Sequence, residues 1–224
     1  MRKLAMWRIS FALPCSFALA SGQALVAQTR SDTPAAREPV KARAWSIAAT
    51  ASLTSFHGAA SMAAPSSTDD ATSITVRPSQ GIALDLAAAR QWHTWTVSVG
   101  VSYLPTRVEA VSSDVAVQDR TKDLERVRFT LTLARHLVRI GTGRLEVRAG
   151  PTLDDWSADG EDGRTVPGGT AALALQLPAG PITLEHVLGF SWSPGPFRAA
   201  ELPDGYTRQS LRAVSIGVGI RRGL

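Results

Sequence analysis

A strict alternation of apolar with small or polar residues constrains this chain more than any other feature of its sequence. The clearest stretch is residues 94–103. Its apolar members are Trp95, Val97, Val99, Val101 and Tyr103, and its small or polar members are Thr94, Thr96, Ser98, Gly100 and Ser102. Because successive side chains of a β-strand point to opposite faces, this period of two predicts a strand with one apolar face.

Seven further segments repeat the pattern with more noise. They predict strands at residues 44–56, 74–89, 126–137, 144–153, 169–177, 181–192 and 211–220. The intervening connections alternate between long (57–73, 104–125, 154–168, 193–210) and short (90–93, 138–143, 178–180). Short turns on one side and long loops on the other are typical of bacterial outer-membrane barrels. We therefore expect residues 43–224 to be all-β, an eight-stranded up-and-down antiparallel transmembrane β-barrel.

The N-terminus predicts an export signal. Arg2, Lys3 and Arg8 precede a short apolar run at residues 9–19, and small residues follow, which predicts a signal peptide over residues 1–27. Cleavage after Ala20 is the alternative site, and a retained membrane anchor is the rival interpretation. Residues 28–42 are polar and contain proline, so we expect a flexible periplasmic segment there.

Composition excludes several classes of protein. Hydrophobic residues make up 44% of the chain and its mean hydropathy is zero, which is too polar for a helical membrane protein and too apolar for a disordered one. The only cysteine, Cys15, lies in the predicted signal, so the mature chain would have neither a cysteine nucleophile nor a thiolate metal site. The net charge of +5 forms no basic stripe, and no nucleic-acid partner is expected.

Aromatic residues concentrate near the predicted strand ends. Trp45, Trp92 and Trp95 fall at the predicted periplasmic ends, and Phe56, Tyr103, Phe129, Phe190 and Trp192 fall near the outer ends. Two aromatic girdles on either side of an apolar band are the pattern of a barrel in a membrane. In a soluble barrel, large aromatic side chains would more often lie in the middle of the core.

With this pattern, the chain resembles the small eight-stranded outer-membrane barrels, the group of the outer membrane protein A transmembrane domain and its OmpX-like and OmpW-like relatives. The resemblance covers residues 43–224 and implies contact with outer-membrane lipids and lipopolysaccharide, and insertion by the barrel-assembly machinery. It also implies extracellular long loops and periplasmic short turns. The chain departs from the group at its C-terminus, where Leu224 stands in place of a terminal aromatic residue. The oligomeric state stays open.

The small and polar face of the strands carries six charged residues. They are Asp85, Arg126, Arg128, Glu146, Arg148 and Glu185. An eight-stranded barrel is only wide enough for its own side chains, and isolated buried charges are unfavourable, so these groups should pair in the lumen. The hypothesis is a salt-bridged plug. The alternatives are a gated polar path, a small ligand site, or acid–base catalysis.

Three further features of the sequence are candidates for sites. The acidic stretch at residues 154–163 spaces Asp155, Asp159 and Glu161 much as a calcium loop does, but position 12 of that loop would be Val166. A solvated loop and a weak divalent-ion site are the two interpretations. His57, His93, His136 and His186 lie on different elements, so no zinc site is expected. His186 faces outward, but position 188 is leucine, and a His-x-Ser arrangement of a lipid-modifying enzyme is missing.

The expected function is therefore that of a non-enzymatic integral outer-membrane protein without a cofactor, acting in envelope integrity or surface interaction. Three alternatives stay open. The first is a narrow channel or binding barrel for small apolar molecules, and the second is a lipid-modifying outer-membrane enzyme. The third is a soluble, lipocalin-like periplasmic binder, which would require the large apolar faces to point inward.

Overall fold

Eight long antiparallel strands pair into a closed ring, with three short strands at one end of it. The computed structural model describes residues 45–62, 73–112, 116–158, 163–202 and 204–224. The predicted signal peptide, the segment 28–42, and the loop residues Asp159 and Glu161 lie outside these ranges. The strands are β1 Trp45–His57, β2 Ala60–Met62, β3 Ile74–Pro78, β4 Gly81–Trp92, β5 Trp95–Val111, β6 Ala116–Ile140, β7 Gly143–Ala158, β8 Arg164–Ala179, β9 Ile182–Pro194, β10 Tyr206–Arg208 and β11 Ser210–Gly223.

The ring follows the order of the chain. Each of β1, β4, β5, β6, β7, β8, β9 and β11 pairs with the next, and β11 closes the ring by pairing with β1 from Ser46 opposite Gly223 to His57 opposite Arg212. A closed ring has no sheet edge, so it can satisfy its backbone groups without water. The expected eight-stranded up-and-down antiparallel barrel is confirmed.

The connections at the predicted periplasmic end are tighter than expected. Residues 93–94, 141–142 and 180–181 form two-residue turns, and His93, Gly141 and Gly180 have φ values of 53°, 61° and 65°. Positive φ is the conformation that two-residue hairpins require, and glycine adopts it without steric cost. The flanking strands therefore reach further toward this end than the hydrophobic alternation indicates.

The opposite end differs more from expectation. The predicted loops 104–125 and 154–168 are largely strand, because β5 with β6 and β7 with β8 continue as paired hairpins. The predicted loops 57–73 and 193–210 contain β2 and β10, and the second predicted strand is interrupted at residues 79–80. β10, β2 and β3 pair in that order and join β5. Polar side chains interrupt the apolar alternation in these segments, but their backbone groups still pair with neighbouring strands.

This paired region extends well beyond what a membrane requires. A tilted strand crosses a bilayer in about 9–11 residues. β6 has 25 residues and β5 has 17, so both continue far past the apolar band. We call the outer parts of β5–β8, together with β2, β3 and β10, the outer extension.

Side-chain orientation separates a membrane barrel from a soluble one. On β4, Ile82, Leu84 and Leu86 are 61%, 58% and 61% exposed on the outside, whereas Ala83 and Ala89 are buried inside. Large apolar side chains thus cover the exterior, which suits hydrocarbon and not water. The soluble, lipocalin-like alternative is wrong, because it needs the opposite orientation. Among the described residues, no helix is long and apolar enough to cross a membrane.

The aromatic residues form a band at each end of the apolar exterior. Trp45, Trp92 and Trp95 are exposed at the periplasmic end, where the Arg90 guanidinium lies 5.4 Å and 5.0 Å from the ring centres of Trp45 and Trp92. Exposed aromatic residues of the outer band are Tyr103, Phe129, Phe190 and Trp192. Phe56, expected with them, instead faces the lumen and is buried, because it continues the inward parity of Thr54.

A charge on the apolar exterior should destabilise the barrel. Leu86→Arg places a guanidinium against hydrocarbon, and we expect a loss of about 2–4 kcal/mol in the free energy of unfolding. Urea unfolding in lipid vesicles measures it. Ala87→Ser, one position along and facing the lumen, is the matched control and should cost much less. Equal losses in the two variants would contradict this orientation.

Candidate functional site in the barrel lumen

The barrel interior has one wall of small residues and one of charged residues. β1, β4 and β5 direct mainly alanine, serine, threonine and glycine inward, whereas β6, β7, β9 and β11 contribute most of the charges. A cavity of about 180 Å³ lies between the two walls. An eight-stranded barrel with large side chains all round would be filled, so the small wall is what leaves this space.

Charged residues cluster in the half of the lumen that lies nearer the two-residue turns. Arg148 places Nε 2.7 Å from Glu146 Oε1 and Nη2 2.8 Å from Glu185 Oε1, and Arg221 Nε lies 2.7 Å from the same Glu185 oxygen. Gln176 donates to both glutamates, at 3.2 Å and 3.1 Å. Glu146 and Glu185 are only 2% and 1% exposed, so these pairs are shielded from solvent. We call these five residues the inner cluster.

A separate ion pair crosses from β6 to β7 nearer the outer end. Arg128 Nη2 donates to Asp154 Oδ2 at 2.9 Å, and Nε donates to Oδ1, which makes the contact bidentate. Asp154 is fully buried. Asp154 falls in the predicted loop 154–168, but β7 continues through this residue. The Asp154 side chain points inward, as that of Thr152 does. Two parallel hydrogen bonds to a planar guanidinium give this pair its fixed geometry.

Beyond this pair, the inward side chains become apolar. Phe56 and Trp156 pack edge to face with ring centres 6.1 Å apart. The remaining members are Leu104, Leu124, Val166 and Leu211, all buried. We call these six residues the outer plug. Arg126 lies between its two aromatic rings, with the guanidinium carbon 5.4 Å from the centre of Phe56 and 5.5 Å from that of Trp156.

All six predicted charged residues face the lumen, but they do not form one network. Glu146, Arg148 and Glu185 meet in the inner cluster, and Arg128 pairs elsewhere. Arg126 and Asp85 form no ion pair with any described residue, and Asp85 Oδ2 accepts only a 3.4 Å contact from Ser52. Sequence reasoning missed Asp154, Gln176 and Arg221 as partners. All three share the inward parity of their strands, which was the available signal.

The possible divalent-ion loop stays a prediction, because Asp159 and Glu161 lie outside the described residues. Asp155 is exposed and accepts a hydrogen bond from Thr165 at 2.8 Å. No group of three metal-ligating side chains occurs in the part of the chain that the structure describes. His186 points outward from β9, and its cross-strand neighbours are Leu175 and Val218. Neither neighbour supplies the hydroxyl or carboxylate that would activate a histidine.

Removing one partner of the Arg128–Asp154 pair should be far worse than removing both. Arg128→Met leaves a buried carboxylate without its cation, and we expect a loss of about 3–5 kcal/mol in the free energy of unfolding. The double variant Arg128→Met with Asp154→Leu should recover most of it, because no isolated charge remains. Unfolding in urea, with the barrel in vesicles, compares the two. A double variant no more stable than the single one would contradict the pairing.

The similarity of this chain to known proteins lies among solved structures. No protein-family model matches the chain, and no curated protein sequence matches it. Among solved structures, Neisserial surface protein A gives a TM-score of 0.55 at 11% identity, covering 81% of this chain and 97% of that one. Ail of Yersinia pestis, solved with the heparin analogue sucrose octasulfate, gives 0.43 at 13% identity, covering 79% and 97%. The translocator domain of autotransporter NalP from Neisseria meningitidis gives 0.35 at 11% identity, covering 82% and 90%.

The match to Neisserial surface protein A confirms the expected resemblance at the level of the fold. The ring closed by β1–β11 pairing and the apolar exterior supply the physical reason, since a β-sheet leaves no backbone group unpaired in lipid only when it is closed. Fold and exterior together give this chain the architecture of the small eight-stranded outer-membrane β-barrels.

Proposed function

We propose that this barrel is a non-conducting, non-enzymatic protein of the outer membrane that acts through its outer extension, in envelope integrity or surface interaction. The observation that carries the proposal is that large or charged side chains occupy the lumen at two levels, which we take as two obstructions. The inner cluster contributes ion pairs among β7, β9 and β11, and the outer plug contributes buried apolar side chains. Activity must then reside on the exterior.

The two obstructions work against different solutes. An ion entering from the periplasm would have to displace Arg148 or Arg221 from buried glutamates, which leaves those carboxylates unpaired. A polar solute entering from outside would have to lose its water against Phe56, Leu104 and Trp156. The cavity of about 180 Å³ lies between these two levels.

The outer extension is suited to contact because it is built of paired strands. Its surface carries the ion pair of Arg77 with Glu109 at 2.8 Å, and that of Arg107 with Asp123 at 3.1 Å. Loops held by a sheet lose little conformational entropy when they bind. A partner would therefore meet a preformed surface of strands and charges at the cell exterior.

An exposed arginine on the exterior fits the same role. Arg212 is outward on β11, opposite Trp192 of the outer aromatic band and opposite His57 on β1. A long cationic side chain at this level can reach the phosphates of lipopolysaccharide. We propose outer-membrane lipids as the barrel's surroundings and the barrel-assembly machinery as its route of insertion.

The wild-type barrel should show no steady unitary current in a planar lipid bilayer. Combining Trp156→Ala with Arg148→Ser and Glu185→Ser removes large side chains from both obstructions and leaves the net charge unchanged. We expect this variant to pass stepwise ion currents, because both obstructions become narrower. Trp192→Ala, which alters only the exterior, is the control and should stay silent. Steady channel currents from the wild type would contradict the proposal.

Single cysteines test which end meets the exterior. Cys15 is the only native cysteine and lies in the predicted signal. Arg208→Cys lies on β10 in the outer extension, and Thr142→Cys lies in an exposed two-residue turn. On intact cells, a membrane-impermeant maleimide should label the first variant, and label the second only after permeabilisation. The reverse result would place the outer extension in the periplasm and end the surface role.

A further inference from the structure

Arg126 carries two buried polar atoms without a partner. Among the described residues, five buried side-chain nitrogen or oxygen atoms lack a hydrogen-bond partner, and all of them lie on β6 and β7. They are Arg126 Nε, Arg126 Nη1, His136 Nδ1, Thr152 Oγ1 and Trp156 Nε1. Natural proteins satisfy nearly all such groups, so the two Arg126 nitrogens point to a ligand.

Arg126 is the charged member of this group. It is 3% exposed, and no described carboxylate forms a salt bridge with it, whereas Arg128, Arg148 and Arg221 each have one. The rings of Phe56 and Trp156 lie close to its guanidinium and partly offset the charge. Aromatic faces do not replace the in-plane acceptors that Nε–H and Nη1–H require. A buried cation in this state needs an anion.

The space beside Arg126 fits a small anion. Arg126 and Arg128 both line the cavity of about 180 Å³, and its wall carries the hydroxyls of Thr54, Ser102 and Ser191. A water molecule occupies roughly 30 Å³ of liquid, so an ion of similar size and several waters fit together. Hydroxyl groups can donate to an anion that one guanidinium does not fully surround.

Asp85 does not take this role. It lines the same cavity from β4, but its carboxylate accepts from Ser52 and makes no ion pair with Arg126. Its negative charge instead opposes any anion that enters the cavity. Removing the Asp85 charge therefore gives a second, independent test of the site.

We propose that Arg126 is the centre of a binding site in the lumen for a small monovalent anion of halide size. The anion accepts from Arg126 Nε and Nη1, neutralises the one arginine of the described cavity lining that has no carboxylate partner, and stabilises the outer half of the barrel. The site does not depend on the surface role proposed above, because it lies inside the obstructed lumen.

The direct test is diffraction from wild-type crystals grown in sodium bromide. We expect an anomalous bromide peak within hydrogen-bond distance of Arg126 Nε or Nη1, in the cavity. Ordered water on both atoms, with no bromide in the cavity, would overturn the proposal. This experiment needs no variant, so it stands even where a substitution prevents folding.

A solution test uses the thermal midpoint of the detergent-solubilised barrel. Replacing a bulky organic sulfonate by bromide at constant ionic strength should raise the wild-type midpoint by about 3 °C at tenfold the dissociation constant. Arg126→Met keeps the apolar stem between the rings and should abolish the rise. Arg212→Met, which removes an exposed arginine, is the matched control and should keep it. An equal rise in wild type and Arg126→Met would overturn the site.

The Asp85→Asn variant separates a cavity site from an exterior one. Removing the opposing carboxylate should tighten bromide binding by about three- to tenfold, measured as the bromide concentration at half of the midpoint shift. Unchanged affinity would place the ion outside the cavity and overturn the proposal.

Discussion

The pairing of the first long strand with the last is the interaction on which the rest of this structure depends. β1 and β11 lie at opposite ends of the described chain, yet they pair along almost their whole length. Without this pairing, two rows of backbone N–H and C=O groups would face hydrocarbon, and each unpaired group is costly there. With it, every long strand has two neighbours, and the exterior can be apolar throughout the membrane.

Closure with eight strands also decides the interior. The lumen is so narrow that inward charges must contact one another, and Arg148 accordingly contacts Glu146 and Glu185 at once. Close approach of the backbones has its own requirement. A β-carbon on Gly219 would lie 2.7 Å from the backbone oxygen of Ala49, so glycine is required where β11 meets β1. Small residues on one wall and charges on the other then leave the cavity beside Arg126.

The outer half of the molecule differs from the membrane-spanning half in its surroundings and in what fills its lumen. Strand pairing continues beyond the apolar band although water could satisfy the backbone there, and ion pairs such as Arg77 with Glu109 accompany it. Inside, the lumen changes from small residues to the apolar side chains around Trp156. The lumen therefore holds hydrophobic packing toward the outer extension and ion pairs toward the two-residue turns.

Much of this protein was determined by its sequence alone. Alternation with a period of two depends only on the geometry of each strand, so it predicted eight strands, the side on which Leu86 and Asp85 lie, and the aromatic bands. Loop lengths predicted the up-and-down order. These features are local, and a single segment such as residues 94–103 carries them without any knowledge of its neighbours.

Only the tertiary structure decided which side chains meet. The partners Arg128 with Asp154 and Arg221 with Glu185 depend on the stagger between neighbouring strands, which no single strand encodes. The same holds for Phe56 and Trp156, because their inward position follows from strands that continue past the point where apolar alternation ends. Strand length at the outer end, and the unpaired state of Arg126, are properties of the assembled ring, since both depend on what the neighbouring strands supply.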